Sequence, residues 1–269
     1  MIQNVNIGDS TLTVSIKGNG KPFLFVHGAA GSFEHSHFLE KYLLHDFEFI
    51  SYSQRFHLPN DPCAPGTYGP VLHASDLIAL LNVLNLEDVT ALGHSYGGNV
   101  LLTAAIHAPQ RFKRIYLAEP SIPNLVCNKL EYAGLLEQRT QAMMKIRAAF
   151  ETGYAAKAVK ALMDYAIGES GFEILPGEIR MDMIANATSL YHLVYKQATI
   201  TLAEEELRNM NVPVCILNGE DCTPIYKAIA DILLQFLPNV EMQNIPEAAH
   251  DLIYNAAKEC SLIIRSHLE

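Results

Sequence analysis

Residues 88–99 read Asp-Val-Thr-Ala-Leu-Gly-His-Ser-Tyr-Gly-Gly-Asn, and the fold turns on them. Val89, Ala91 and Leu92 make a short apolar run that predicts a buried strand. The run stops at Gly93-His94-Ser95-Tyr96-Gly97, after which Val100, Leu101, Ala104, Ala105 and Ala108 follow a helical period. G-x-S-x-G between a strand and a helix is the setting of a nucleophile elbow. A serine at the tip of so tight a turn occupies strained backbone, so the residues two positions either side must lack a side chain. The turn lifts Ser95 Oγ clear of the sheet and sets it beside a helix N-terminus, whose free N–H groups favour an oxyanion. Ser95 is the candidate nucleophile; a plain strand-to-helix turn is the competing reading.

Outward from the elbow, strands and helices alternate. Val5, Ile7, Leu12, Val14 and Ile16 predict a hairpin turned by Gly8-Asp9-Ser10. Phe23-Leu24-Phe25-Val26 is a central strand apolar on both faces, ending in the glycine-rich His27-Gly28-Ala29-Ala30-Gly31-Ser32. A helix over 33–45, a strand over 47–52, a long Pro- and Gly-containing loop over 55–69 and a helix over 71–84 follow. After the elbow helix, Arg114–Ala118 is another strand, ending in Glu119-Pro120. From about 122 to 207 the alternation stops, and the pattern predicts helices over 129–151, 154–167 and 177–199. It resumes with a strand over 212–217, a helix over 224–236, a strand over 240–245 and a helix over 251–268. The fold class is α/β, a mostly parallel central sheet flanked by helices. A core of 1–121 and 208–269 carries a helical insertion, 122–207, over the carboxyl edge of the strands, where such sheets place their sites.

Composition narrows the function. The chain has 269 residues, 49% apolar and 18% charged, enough for a sizeable core. Its formal charge of −10 argues against nucleic acid and anionic membrane surfaces as partners. Cys63, Cys127, Cys215, Cys222 and Cys260 are odd in number and scattered, with no C-x-x-C pair, so no metal site is expected and reduced thiols of a cytoplasmic protein are. No signal peptide, spanning segment or repeat is evident, and nothing in the pattern specifies an oligomeric state.

With the elbow, the His27-Gly28 loop, the helical insertion and a late histidine before the last helix, the chain resembles the α/β-hydrolase-fold superfamily over essentially its whole length. Residues Tyr52–Asn60 depart from the superfamily's commoner Asp-x-x-Gly-x-Gly-x-Ser loop. The resemblance implies a cap over the sheet and a triad in the chain order Ser, acid, His. His250 suits the base: it follows a strand and the loop Pro246-Glu247-Ala248-Ala249 and precedes the terminal helix. His107, His192 and His267 lie inside predicted helices, and His27 and His94 flank the machinery in structural positions. The acid has two candidates. The superfamily's Gly-x-x-Asp position after the strand ending at Leu217 carries Cys222, with Asp221 one residue early. Glu119 stands at the end of the strand after the elbow helix, where haloalkane dehalogenases place their acid and where an apolar strand has no need of a charge. Glu119 is the favoured candidate and Asp221 the alternative. The resemblance also implies an oxyanion hole from the backbone N–H groups of Ala29 and Tyr96.

Five of the eight methionines (Met143, Met144, Met163, Met181 and Met183) fall in the insertion, either packing it on the core or meeting an apolar ligand. Phe33, Tyr191 and Tyr195 are candidate pocket walls. Arg55 and His57 invite a carboxylate clamp, with a structural ion pair favoured for Arg55. The expected activity is hydrolysis of a small, apolar carboxylic ester or related acyl substrate without metal or organic cofactor. The alternatives are C–C or amide cleavage by the same groups, or a small-molecule sensor on the same scaffold.

Overall fold

The computed structural model describes residues 1–127, 129–198 and 202–268. Eight strands form one sheet: β1 (Ile2–Asn6), β2 (Thr11–Gly18), β3 (Lys21–Val26), β4 (Phe47–Tyr52), β5 (Val89–His94), β6 (Phe112–Ala118), β7 (Val214–Gly219) and β8 (Val240–Ile245). Their spatial order is β1-β2-β4-β3-β5-β6-β7-β8. β1 and β2 form the expected antiparallel hairpin, β2 runs antiparallel to β4, and every remaining pair is parallel. The central strands are apolar because both faces are covered. In β3, Phe23 to Val26 are wholly buried, as are Ile115 to Ala118 in β6 to within 1%.

The helices are α1 (His37–Leu43), α2 (Pro70–Val83), α3 (Tyr96–His107), α4 (Ala133–Glu151), α5 (Ala155–Ala166), α6 (Gly171–Ile174), α7 (Gly177–Ala185), α8 (Ala187–Tyr195), α9 (Glu204–Asn209), α10 (Pro224–Phe236), α11 (Leu252–Asn255) and α12 (Ala257–Ser266). The chain steps from β3 to β4 in one direction and from β4 past β3 to β5 in the other. Right-handed crossovers therefore put α1 on one face and α2 on the opposite one. Accordingly α1 packs on α12 and α2 on α3.

Four expected helices are broken; the one over 129–151 opens with a 3-10 turn, Leu130–Tyr132, before α4. The stretch 33–45 starts as a 3-10 turn, Phe33–Ser36, before α1. The helix expected over 177–199 divides into α7 and α8 at Asn186. There the Asn186 side chain accepts from the Leu58 amide at 2.7 Å and donates to the Asp182 carbonyl at 3.0 Å, competing with the helical ladder. The last residue of that expected helix, 199, lies outside the described residues. The terminal helix is interrupted at Ala256. Among the described residues no helix is long and apolar enough to cross a membrane.

Because β3 and β5 to β8 are parallel, their carboxyl ends share one edge. His27, Ser95, Glu119, Gly219 and, after a short loop, His250 all sit on it.

Candidate active site

Ser95 has φ 53° and ψ −118°, a strained conformation for a residue with a side chain. It is held by its neighbours. Its amide donates to the Ala118 carbonyl at 3.0 Å, and its own carbonyl accepts from Gly98 and Ser121 at 3.0 and 2.9 Å. The glycines of the motif are there for space. A Cβ on Gly93 would lie 2.5 Å from the Gly97 carbonyl oxygen, and one on Gly97 only 2.2 Å from that of Val26. Ala30, in the loop after β3, and Glu119, directly after β6, also have positive φ.

His250 Nδ1–H donates to Glu119 Oε2 at 2.8 Å, and the other carboxylate oxygen accepts the Gly219 amide at 2.9 Å. The β6–β7 register brings this about: Ala118 pairs with Leu217, so the next residue on β6 lies beside the end of β7. Gly219 must be a glycine for the same contact, since a Cβ there would come within 2.2 Å of the Ala248 carbonyl oxygen and 2.9 Å of Glu119 Oε1. Glu119 is fully buried and His250 nearly so. Burial pushes the imidazole below its ordinary pKa, so it stands neutral with Nε2 free to take a proton. Burial likewise raises the Glu119 carboxyl, with the Gly219 amide pulling the other way.

Asp221, by contrast, is exposed on the turn after β7, where its amide donates to the Ala248 carbonyl at 2.9 Å. Of the two candidate acids, Glu119 contacts His250; no bond joins Asp221 to it.

The remaining histidines at this edge are braces. His94 Nε2–H donates to the His250 carbonyl at 2.9 Å, tying the elbow to the histidine loop. His27 Nδ1–H donates to the Gly28 carbonyl, while its Nε2 accepts the Gln54 amide at 3.0 Å. Arg55 is buried between Asp76 and Asp9, with Nη2 2.6 and 2.7 Å from their carboxylates, and forms no clamp at the site. Neither the Ala29 nor the Tyr96 amide has an acceptor among the described residues.

Gly28, Ala29, Ser95, Tyr96 and His250 open onto one cavity of about 210 Å³. Helices α4, α5, α7 and α8 supply much of the rest of its wall. Met143, Met163 and Met183 face it, whereas Met144 and Met181 are exposed. Phe33, Tyr191 and Tyr195 do not line it. Phe33 is buried in its 3-10 turn, with its amide on Ser53 Oγ at 3.2 Å. Tyr191 and Tyr195 lie on the outer side of α8 against Phe150, because the inward positions of that helix belong to Leu190, Leu193 and Val194.

Two cavity residues escaped the sequence patterning. Tyr226 opens α10 and stacks on His250 at 4.0 Å between ring centroids and 12° between planes, with its hydroxyl directed to Ser95. Its signal was position, in the first turn of the helix after a strand that ends at the site. Arg139, on α4, also lines the cavity; a basic residue on a largely exposed helix carries no such signal.

The family model for the alpha/beta hydrolase fold matches residues 21–163. A zebrafish protein named sn-1-specific diacylglycerol lipase ABHD11 is 29% identical over 128 residues, 45% of this chain and 39% of the relative. The chain thus matches about two fifths of that relative's length. The 2-(acetamidomethylene)succinate hydrolase of Mesorhizobium japonicum is 25% identical over 262 residues, 92% of this chain and 88% of the relative. Among solved structures, a bromoperoxidase from Bacillus anthracis superposes with a TM-score of 0.80 at 19% identity, over 99% of each chain. With its own sheet order, its elbow and a model match over more than half its length, the chain belongs to the α/β-hydrolase fold family.

Proposed function

We propose that the protein is a serine hydrolase acting on a carboxylic ester or related acyl substrate. One observation carries this reading: Ser95, at its strained bend, shares a cavity with an imidazole whose Nδ1 is held by a buried carboxylate. Serine is a poor nucleophile until a base takes its proton, and the base must be held in one tautomer. Glu119 does this for His250 by accepting from Nδ1, which leaves Nε2 to take the Ser95 proton. The alkoxide adds to the carbonyl, and the amides of Ala29 and Tyr96 receive the oxyanion. Collapse expels the alcohol with the proton held by His250. Water, activated by the same imidazole, then cleaves the acyl-enzyme. Helices between β6 and β7 act as a cap that screens these steps from bulk water. The steps call for no metal or organic cofactor.

A second reading, cleavage of an amide by the same groups, draws on the relative spanning 92% of this chain, whose name gives 2-(acetamidomethylene)succinate as its substrate.

The test is turnover of short p-nitrophenyl esters together with labelling by a fluorophosphonate probe. Ser95→Ala is expected to lower kcat by about 10⁴- to 10⁶-fold and to abolish labelling. Ester turnover that survives this substitution would sink the proposal.

A further inference from the structure

The cavity above Ser95 carries one fixed charge. No aspartate, glutamate or lysine lines it among the described residues, although the chain has 29 acidic residues against 19 basic ones. The charge is Arg139, half-buried on α4.

The chain has eight arginines, and seven have an evident structural partner. Arg55, Arg111, Arg114 and Arg265 pair with carboxylates. Arg147, Arg180 and Arg208 lie over aromatic rings. Among the described residues Arg139 has neither kind of partner. Leaving a guanidinium so placed at a cavity wall forgoes the planar, two-pronged bonding to which it is suited.

A second group beside it is also unsatisfied. Tyr165, on α5, lines the same cavity, and its hydroxyl is buried with no hydrogen-bond partner among the described residues. Of the tyrosine hydroxyls buried without a partner among the described residues, those of Tyr52, Tyr68 and Tyr165, only that of Tyr165 belongs to a residue lining the cavity. Both Arg139 and Tyr165 line the cavity onto which Ser95, Tyr226 and His250 open. The Arg139 charge opposes the upward push of burial on the hydroxyls of both Tyr165 and Tyr226, and the Tyr226 hydroxyl in turn reaches Ser95. Arg139, Tyr165, Tyr226 and Ser95 thus all belong to the wall of one cavity.

We propose that Arg139 and the Tyr165 hydroxyl form a subsite for a carboxylate, so that the favoured substrates are acyl compounds carrying a second, ionised carboxyl group a few bonds from the scissile carbonyl. The subsite refines the hydrolase reading and rests on it for the reaction, but not for the binding. Apolar side chains such as Met143, Leu162 and Met163 enclose the linking chain, and the far carboxylate meets the guanidinium and phenol.

The experiment compares two esters of equal acyl length, the mono-p-nitrophenyl ester of adipic acid and p-nitrophenyl hexanoate. The wild-type enzyme is expected to favour the anionic ester in kcat/KM by about ten- to a hundred-fold, chiefly through KM, as a charge-assisted pair would give. Arg139→Gln should collapse that ratio to near unity, Arg139→Lys should restore part of it, and Tyr165→Phe should lower it several-fold. Arg147→Gln, on the same helix but outside the cavity, should leave the ratio unchanged. Titration of Ser95→Ala with adipate, followed by calorimetry, gives an independent readout: binding should be present and be lost on adding Arg139→Gln. Ser95-dependent turnover with no preference between the esters, and no adipate binding, overturns the subsite and leaves the hydrolase intact. Arg139-dependent adipate binding without turnover of either ester upholds the subsite and overturns the ester-hydrolase reading.

Discussion

The cavity has two walls built on different principles. On the strand-edge wall most polar side chains around Ser95 are tied down, His94 Nδ1 being an exception. Glu119 uses both oxygens, His94 and His27 brace the loops on which His250 and Ala29 stand, and the Tyr96 hydroxyl is bonded to His73 at 2.8 Å. The wall supplied by α4 to α8 is seated on the core by apolar contact and by polar bonds at its rim, such as Asn186 to the Leu58 amide, but toward the cavity it presents flexible methionines and two polar groups, Arg139 and the Tyr165 hydroxyl, without a partner among the described residues. Fixed geometry suits bond-making groups, whereas side chains with several rotatable bonds suit the fit of a ligand. The contrast implies that chemistry resides in one wall and selectivity in the other, and this can be broken by mutation.

The largest effect should come from the strand edge. Glu119→Gln keeps the shape but presents an amide to the imidazole, which destabilises both the useful tautomer and the imidazolium. An activity loss of about 10³- to 10⁴-fold is expected, in kcat rather than KM. Asp221→Asn, on an exposed turn, should stay within about two-fold of wild type. Steady-state kinetics on one ester decides between them, and the reverse pattern would move the acid to the β7 turn.

A smaller effect is thermodynamic. Burial pushes His27, His57, His73, His94 and His250 below the ordinary histidine range. None of the five lies on α4 to α9. In the unfolded chain each would titrate near 6.5. Below that value the unfolded state binds more protons than the folded one, so stability falls as the pH falls. The contribution is fully present above about 6.5 and is lost on the way down to the folded value, about 4 for His57. Each histidine contributes at most about 1.4 kcal/mol per pH unit in that window. Urea midpoints should therefore drop steeply from about pH 6.5 to 5, against the smaller opposite contribution of the buried Glu119 carboxyl, and His57→Asn should flatten the drop. A midpoint indifferent to pH in that range would mean that these side chains are not buried neutral.

Much of this arrangement is legible in the sequence, for a physical reason. A strand buried on both faces must be apolar throughout, so Phe23–Val26 and Val89–Leu92 stand out as runs. The elbow stands out because close backbone approach leaves only glycine at 93 and 97. The choice between Glu119 and Asp221 is not local. It depends on the register of β6 against β7 and on the Gly219 amide, neither of which spacing along the chain encodes. The break at Asn186 is equally remote in origin, since its partner is the amide of Leu58. Arg139 is invisible for the opposite reason. What marks it is the lack of a partner among the described residues, and this emerges only once the other seven arginines have been placed.

The smallest effect tests the helical wall from behind. Tyr191 is 40% exposed and packs edge-on against Phe150 at 5.6 Å, and at a tilt of 32° against Tyr195 at 4.6 Å, on the side of α8 turned from the cavity. Tyr191→Ala removes these ring contacts and should lower stability by about 0.5–1.5 kcal/mol. Activity should barely move, because Leu190, Leu193 and Val194 hold the inner face in place. Leu193→Ala is the matched probe: it opens the cavity itself and should raise KM for a hydrophobic ester several-fold while sparing kcat. If Tyr191→Ala perturbed KM as strongly as Leu193→Ala, the helix would have to shift as a body when its outer packing is lost. Selectivity would then depend on how the insertion is seated, and not only on the side chains it turns toward Ser95.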